Sequence, residues 1–256
     1  MGILEVLVQF VLRLTFGMAI SMGLTPPKLV TSGFYRVHLW VLLGCNTFAA
    51  MSIWSNQDAF TTKWLSGQSM FLSAVGISVL SFIGAGVWLY EKPRAGLVFL
   101  FAIGILSLLT AVFGSRWNAD MLTITADVIS GGFLLGIITT AMLLGHWYLN
   151  TPTMQLGPLQ KLVILSGIAI VIRALVSGVG GFMVDATTVS SSFWIFLAFR
   201  WLAGILSTFV LVVLTWQTLK IPNTQSATGI LYAGVILAFL GELTSQLLSV
   251  GSHYPL

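Results

Sequence analysis

Eight stretches of about 20 mostly apolar residues follow one another from Ile3 to the end of the sequence, bounded by Pro, Gly, Asn or charge. An α-helix rises 1.5 Å per residue, so about 20 residues cross the roughly 30 Å hydrocarbon core of a bilayer. Within that core each backbone N–H and C=O must be satisfied internally, which for runs of this length leaves the helix. The runs lie at residues 3–24, 34–54, 69–90, 95–115, 127–149, 159–184, 192–217 and 228–250. The sequence therefore predicts an all-α fold, a polytopic integral membrane helix bundle of about eight transmembrane helices, with 1–256 read as a single transmembrane domain.

Charged residues are 7% of the chain and the mean hydropathy is +1.00, whereas a soluble domain carries about a quarter charged residues. Lipid is thus the expected partner of most of the surface. The connections, such as TPPKLVTSG, EKPR, RWNADMLTITA and KIPNTQSAT, leave no room for a soluble domain on either face. The first 20 residues lack the basic start and small-residue cleavage site of a signal peptide, and are read as the first span. The basic residues are scattered singly, which argues against nucleic acid as a partner. One cysteine, Cys45, excludes an internal disulfide and a CxxC motif.

Basic residues set the expected orientation. The loops after spans one, three, five and seven, with their flanking turns, hold Lys28, Arg36, Lys92, Arg94, Lys161 and Lys220, and the opposite side holds Lys63 and Arg116. The positive-inside rule puts the richer side in the cytoplasm and both termini outside, in a plasma membrane or bacterial inner membrane. Trp40, Trp54, Trp88, Trp117, Trp147, Trp194 and Trp216 lie near span ends, where an aromatic belt meets the headgroups. Small residues, as in SGGFLLG at 130–136, at Gly96 and Gly104, in SGVGG at 177–181 and at Gly234 and Gly241, mark faces where helices approach closely.

Ionisable groups inside a bilayer are expensive and mark function by default. Two constellations stand out. His38 and His146 each lie within four residues of the expected cytoplasmic boundary, up to roughly 6 Å inside it at the helical rise. A pair of neutral imidazoles on facing helices can ligate a haem b, a copper or a quinone headgroup, with Gly44 and Gly145 leaving space for a flat macrocycle. Tyr35 shares a face with His38; Thr139, Met142 and Asn150 share one with His146, whereas Arg36 points elsewhere and reads as a cytoplasmic anchor. The alternative for each histidine is an interfacial ring among the headgroups.

Arg13, Arg173, Arg200 and Glu242 fall deeper. An Arg–Glu242 ion pair is expected, with Arg173 and Arg200 the nearer candidates. One glutamate leaves a surplus of arginine charge, to be met by carbonyls, water or a bound anion. The sequence thus leaves three functions open: a membrane redox component carrying haem b or a quinone between His38 and His146, a channel or transporter for a small anionic solute, and a non-catalytic subunit of a larger membrane complex or homo-oligomer. No catalytic residue is identified. Intramembrane-protease pairs, HExxH, P-loop and Rossmann patterns are missing, and the lysines lie in loops or at helix ends, which argues against a retinal Schiff base.

Overall fold

A computed structural model of the chain describes residues 2–115, 119–151, 154–184, 189–221, 223–252 and 254–256. Among them there is no strand. Helices α1 (Ile3–Leu24), α2 (Ser32–Ser55), α3 (Gln57–Phe60), α4 (Gly67–Leu89) and α5 (Pro93–Phe113) come first. They are followed by α6 (Met121–Asn150), α7 (Gly157–Met183), α8 (Ser191–Phe199), a π-helical segment (Arg200–Ser207), α9 (Thr208–Lys220) and α10 (Thr224–Ser252). With α8, the π segment and α9 forming one continuous rod, eight helices are long and apolar enough to cross a membrane. The protein is a multi-pass membrane helix bundle. Arg116 and Trp117, assigned above to a loop and a span end, lie outside the described residues.

The boundaries follow from local chemistry. Asp120 caps α6, its carboxylate accepting from the Thr123 N–H at 2.9 Å; Ser66 caps α4 the same way through Ser69. Proline stands in the first turn of α5 and α7, where its missing N–H would have no partner in any case. Hydroxyls within the spans bond back to the carbonyl one turn earlier, as in Ser81 to Ile77 at 2.8 Å, Ser107 to Ile103 at 2.7 Å and Ser166 to Leu162 at 2.9 Å. Polar side chains are thereby satisfied with no demand on lipid.

The chain divides into two compact units, Met1–Arg116 and Trp117–Leu256. In the first, α1 packs on α2 and α5, and α4 on α2 and α5, so four spanning helices close a ring. Asn46 on α2 donates to Thr15 Oγ1 on α1 at 2.9 Å, with both residues fully buried. Glycine lets helices touch: a Cβ on Gly104 would lie 2.8 Å from Ile20 on α1, and one on Gly96 would strike the Trp88 indole. Trp88 is buried and stacked on Tyr35 with ring centroids 3.9 Å apart. It therefore sits inside this unit instead of in the aromatic belt expected for it. Trp40, Trp54 and Trp194 are exposed, as belt residues would be.

In the second unit α6 packs on α7 and α10, and the α8–π–α9 rod packs on α7 and α10. Its interior holds a cluster of ionisable side chains.

Candidate functional site

Four ionisable side chains from four successive spans meet inside the second unit. Asp127 comes from α6, Arg173 from α7, Arg200 from the start of the π segment and Glu242 from α10, and none is more than 1% exposed. Arg173 holds Glu242 at two points, Nε donating to Oε1 at 2.9 Å and Nη2 to Oε2 at 2.9 Å. Its Nη1 donates to Asp127 Oδ1 at 2.7 Å and to Ser130 Oγ at 3.2 Å, and Nη2 also reaches Ser245 Oγ at 2.7 Å. Arg200 Nη2 donates to Glu242 Oε1 at 2.6 Å and to Ser177 Oγ at 3.5 Å.

Two guanidiniums thus face two carboxylates, and the cluster is electrically balanced. That matters because an unpaired ion in so apolar a place costs several kcal/mol, of order what a whole domain can spare. The surplus positive charge expected from the sequence is cancelled within this unit by Asp127. Arg13 belongs to the first unit, where it is buried on α1.

Helical spacing builds the site. Asp127, Ser130 and Gly131 share one face of α6, and Glu242, Ser245 and Ser249 share one face of α10. Gly131 gives the carboxylate room: a Cβ there would lie 2.6 Å from Glu242 Oε2. Gly204 and Gly241 bring the π segment against α10, since a Cβ on Gly204 would lie 2.6 Å from the Gly241 Cα. The π register is echoed by hydroxyls that reach back five residues, Ser207 to Leu202 at 2.8 Å and Thr208 to Ala203 at 3.4 Å. Such segments often accompany functional positions, because they displace side chains from the helical phase.

Arg200 Nη1 lies over this glycine contact, 2.8 Å from where a Gly204 Cβ would be. Among the described residues this buried nitrogen has no hydrogen-bond partner. Its Nε donates to the backbone oxygen of Leu256 at 3.4 Å, so the guanidinium retains donor capacity that the four-residue cluster does not use. A guanidinium in this state is suited to an oxygen-bearing anion.

The histidines fall in different units. His38 is buried on α2, with Nδ1 at 2.6 Å from the Phe34 carbonyl and its ring against Phe34. A carbonyl only accepts, so Nδ1 carries a proton here, as it does in many metal-ligating histidines. Tyr35 is buried beside it and donates its hydroxyl to the Thr25 carbonyl at 2.9 Å. His146 is exposed near the end of α6, with Nδ1 at 3.2 Å from the Tyr232 hydroxyl. Thr139 and Met142, which share its expected face, are buried. Gly145 does not open onto free space, as a Cβ there would lie 2.7 Å from Thr228 Oγ1 on α10, whereas Gly44 has nothing within 4 Å. Among the described residues no group of three or more His, Cys, Asp or Glu is placed to hold a metal; a bis-histidine haem needs only two.

Asp127 is the member of the cluster that the sequence did not single out, the fifth span being expected to start at residue 127. The helix begins six residues earlier, at Met121, which carries Asp127 nearly two turns into the span. The signal was present in Asp120 followed by Thr123 and the apolar Leu122, Ile124 and Val128, a cap ahead of a helical stripe.

No family model, no curated protein and no solved structure matches the chain.

Proposed function

We propose that the protein is a membrane transporter or channel for a small anionic solute, handled at the Asp127–Arg173–Arg200–Glu242 cluster. The observation that carries this reading is a fully buried guanidinium, Arg200, with a donor nitrogen that no described residue uses. Charged groups deep in a span point to a solute or proton path more readily than to a lipid-facing scaffold. The cluster also fixes what must accompany the solute. Because two positive and two negative charges already balance, an anion entering alone would leave a net buried negative charge. An anion therefore enters with a proton that neutralises Glu242 or Asp127 as the solute takes that carboxylate's place on an arginine. The groups facing this exchange are Asp127 and Ser130 from α6, Arg173 and Ser177 from α7, Arg200 from the π segment, and Glu242 and Ser245 from α10.

The test is uptake of a labelled carboxylate into proteoliposomes. Wild-type protein accumulates it, and Arg200→Gln does not. The reading takes the membrane to be a plasma or bacterial inner membrane, with the lysine- and arginine-rich loops in the cytoplasm.

A second reading rests on His38. An Nδ1–H tautomer would suit a haem b iron or a quinol hydroxyl at Nε2 within a redox component. A Soret band in the purified protein that is lost in His38→Ala would support it. A colourless protein prepared with ample haem, which binds no quinone, would end it.

A further inference from the structure

The loop after α1, the start of α2, the end of α4 and the start of α5 line a cavity of about 280 Å³ in the first unit. It lies where spans begin and end, the level at which the headgroups of a bilayer meet a helix bundle. Ser32 and Pro93, the first residues of α2 and α5, both line it, and no side-chain hydrogen bond caps either helix. The leading N–H groups and positive dipole ends of two helices therefore meet at one cavity. Trp88, a third wall, is 2% exposed. Its Nε1 lies over Gly96 in the first turn of α5 and has no hydrogen-bond partner among the described residues, although a buried indole N–H ordinarily finds an acceptor. Lys28 adjoins Pro27, also in the wall, and Lys92 and Arg94 flank Pro93. One acidic group stands against these donors. Glu91 lines the cavity and accepts from the Ser32 hydroxyl at 3.4 Å. Its φ of 52° is the only positive value at a non-glycine among the described residues. It holds the left-handed position of the turn that ends α4, where the Lys92 N–H reaches the Val87 carbonyl at 3.3 Å, a place ordinarily taken by glycine or asparagine.

We infer that this cavity binds a phosphate ester carrying a primary ammonium group, the chemistry of an ethanolamine-phosphate headgroup. The two helix N-termini and the Trp88 N–H receive the phosphate oxygens, and the Glu91 carboxylate receives the ammonium. A simple anion would face Glu91, and a simple amine would face two positive helix ends; a zwitterion satisfies both. A choline headgroup is the wrong ligand, because its quaternary nitrogen has no N–H to donate to Glu91. The site belongs to the first unit and does not depend on the charged cluster of the second. A bilayer lipid and free phosphoethanolamine offer the same chemistry, and the test separates them.

The experiment purifies the full chain in detergent with equimolar phosphatidylethanolamine and phosphatidylcholine of matched acyl chains, and quantifies the retained lipid by mass spectrometry. Wild-type protein retains phosphatidylethanolamine over phosphatidylcholine by about tenfold or more, the selectivity of one charge-assisted hydrogen bond. Glu91→Gln abolishes the preference. Trp88→Phe, which keeps an aromatic ring on Tyr35 but has no N–H, weakens retention with the preference intact. Glu91→Gly suits the left-handed turn better than glutamate does, so it loses the preference while the protein melts no lower, which separates loss of the site from misfolding. Millimolar phosphoethanolamine added to lipid-free protein raises the melting temperature in a Glu91-dependent way if the ligand is soluble; if the ligand is the lipid, the retained phosphatidylethanolamine withstands it. Equal retention of the two lipids with no Glu91-dependent stabilisation by phosphoethanolamine overturns the site. So does a preference that survives in both Glu91 variants.

Discussion

Arg173 and Glu242 meet as a two-point fork, Nε to Oε1 and Nη2 to Oε2, each at 2.9 Å, with neither side chain exposed. Two parallel charge-assisted bonds fix distance and plane together, which a lysine in place of Arg173 could not do. Arg200 then shares Oε1, so Glu242 is the hinge of the cluster.

Removing that hinge should be costly. Glu242→Gln leaves two guanidiniums with one carboxylate and is expected to lose about 3–5 kcal/mol, the penalty of stripping one partner from a buried ion pair. Arg173→Met with Glu242→Gln should cost clearly less than the two single changes added, with coupling of about 0.5–3 kcal/mol. Unfolding in mixed micelles measures both; strict additivity would mean that the fork is not formed.

Close glycine contact at the site gives a steric expectation. Gly204→Ala and Gly241→Ala each force the π segment away from α10, because the obstacle is backbone and not a side chain that can swing aside. A loss of about 1–3 kcal/mol is expected for overpacking of this kind. Gly44→Ala, which meets nothing within 4 Å, is the control and should leave the melting temperature unchanged.

The spans and the pairing of Arg173 and Arg200 with Glu242 were legible from the sequence, because apolar length and the cost of a lone buried charge are both properties of composition along the chain. The limits were less so. The fifth span began early enough to hide Asp127, since Thr123 and Thr125 resemble loop residues by polarity, although α6 runs through them. The π segment carries no proline to announce it, and its Gly204 is indistinguishable in sequence from the other small packing residues. Packing also decided the fate of residues with a shared period: Trp88 was drawn inside by the gap over Gly96, and His146 is exposed while Met142, on the same expected face, is buried.

Within the first unit, the Asn46–Thr15 bond joins α2 to α1. Thr15→Val removes the acceptor at nearly constant volume. A loss of about 0.6 kcal/mol is expected, and no more than about 1.7, as for other interhelical hydrogen bonds in membranes. Asn46 also donates to the Leu42 carbonyl at 2.8 Å, which keeps the penalty at the lower end. Stability of Thr15→Val in detergent checks this.

Asp120 supplies a pH dependence outside the spans. Hydrogen bonds from the Thr123 hydroxyl and then the Thr123 N–H hold its carboxyl below the usual aspartate value. A group lowered on folding stabilises the folded state above its unfolded pKa, and that stabilisation is lost as pH falls through the folded value. Protection of the first turn of α6 against hydrogen exchange should therefore be flat above about pH 5 and fall below about pH 4. Asp120→Asn should remove the slope while keeping the cap.

The most direct test of the anion reading is to record carboxylate uptake and internal pH together in proteoliposomes holding the wild-type protein and Arg200→Gln. The balanced cluster predicts one proton entering with each carboxylate, so that an imposed inward proton gradient drives uptake, and predicts neither flux in the variant. Carboxylate uptake that leaves internal pH unchanged and is insensitive to the gradient, or uptake undiminished by Arg200→Gln, would contradict it.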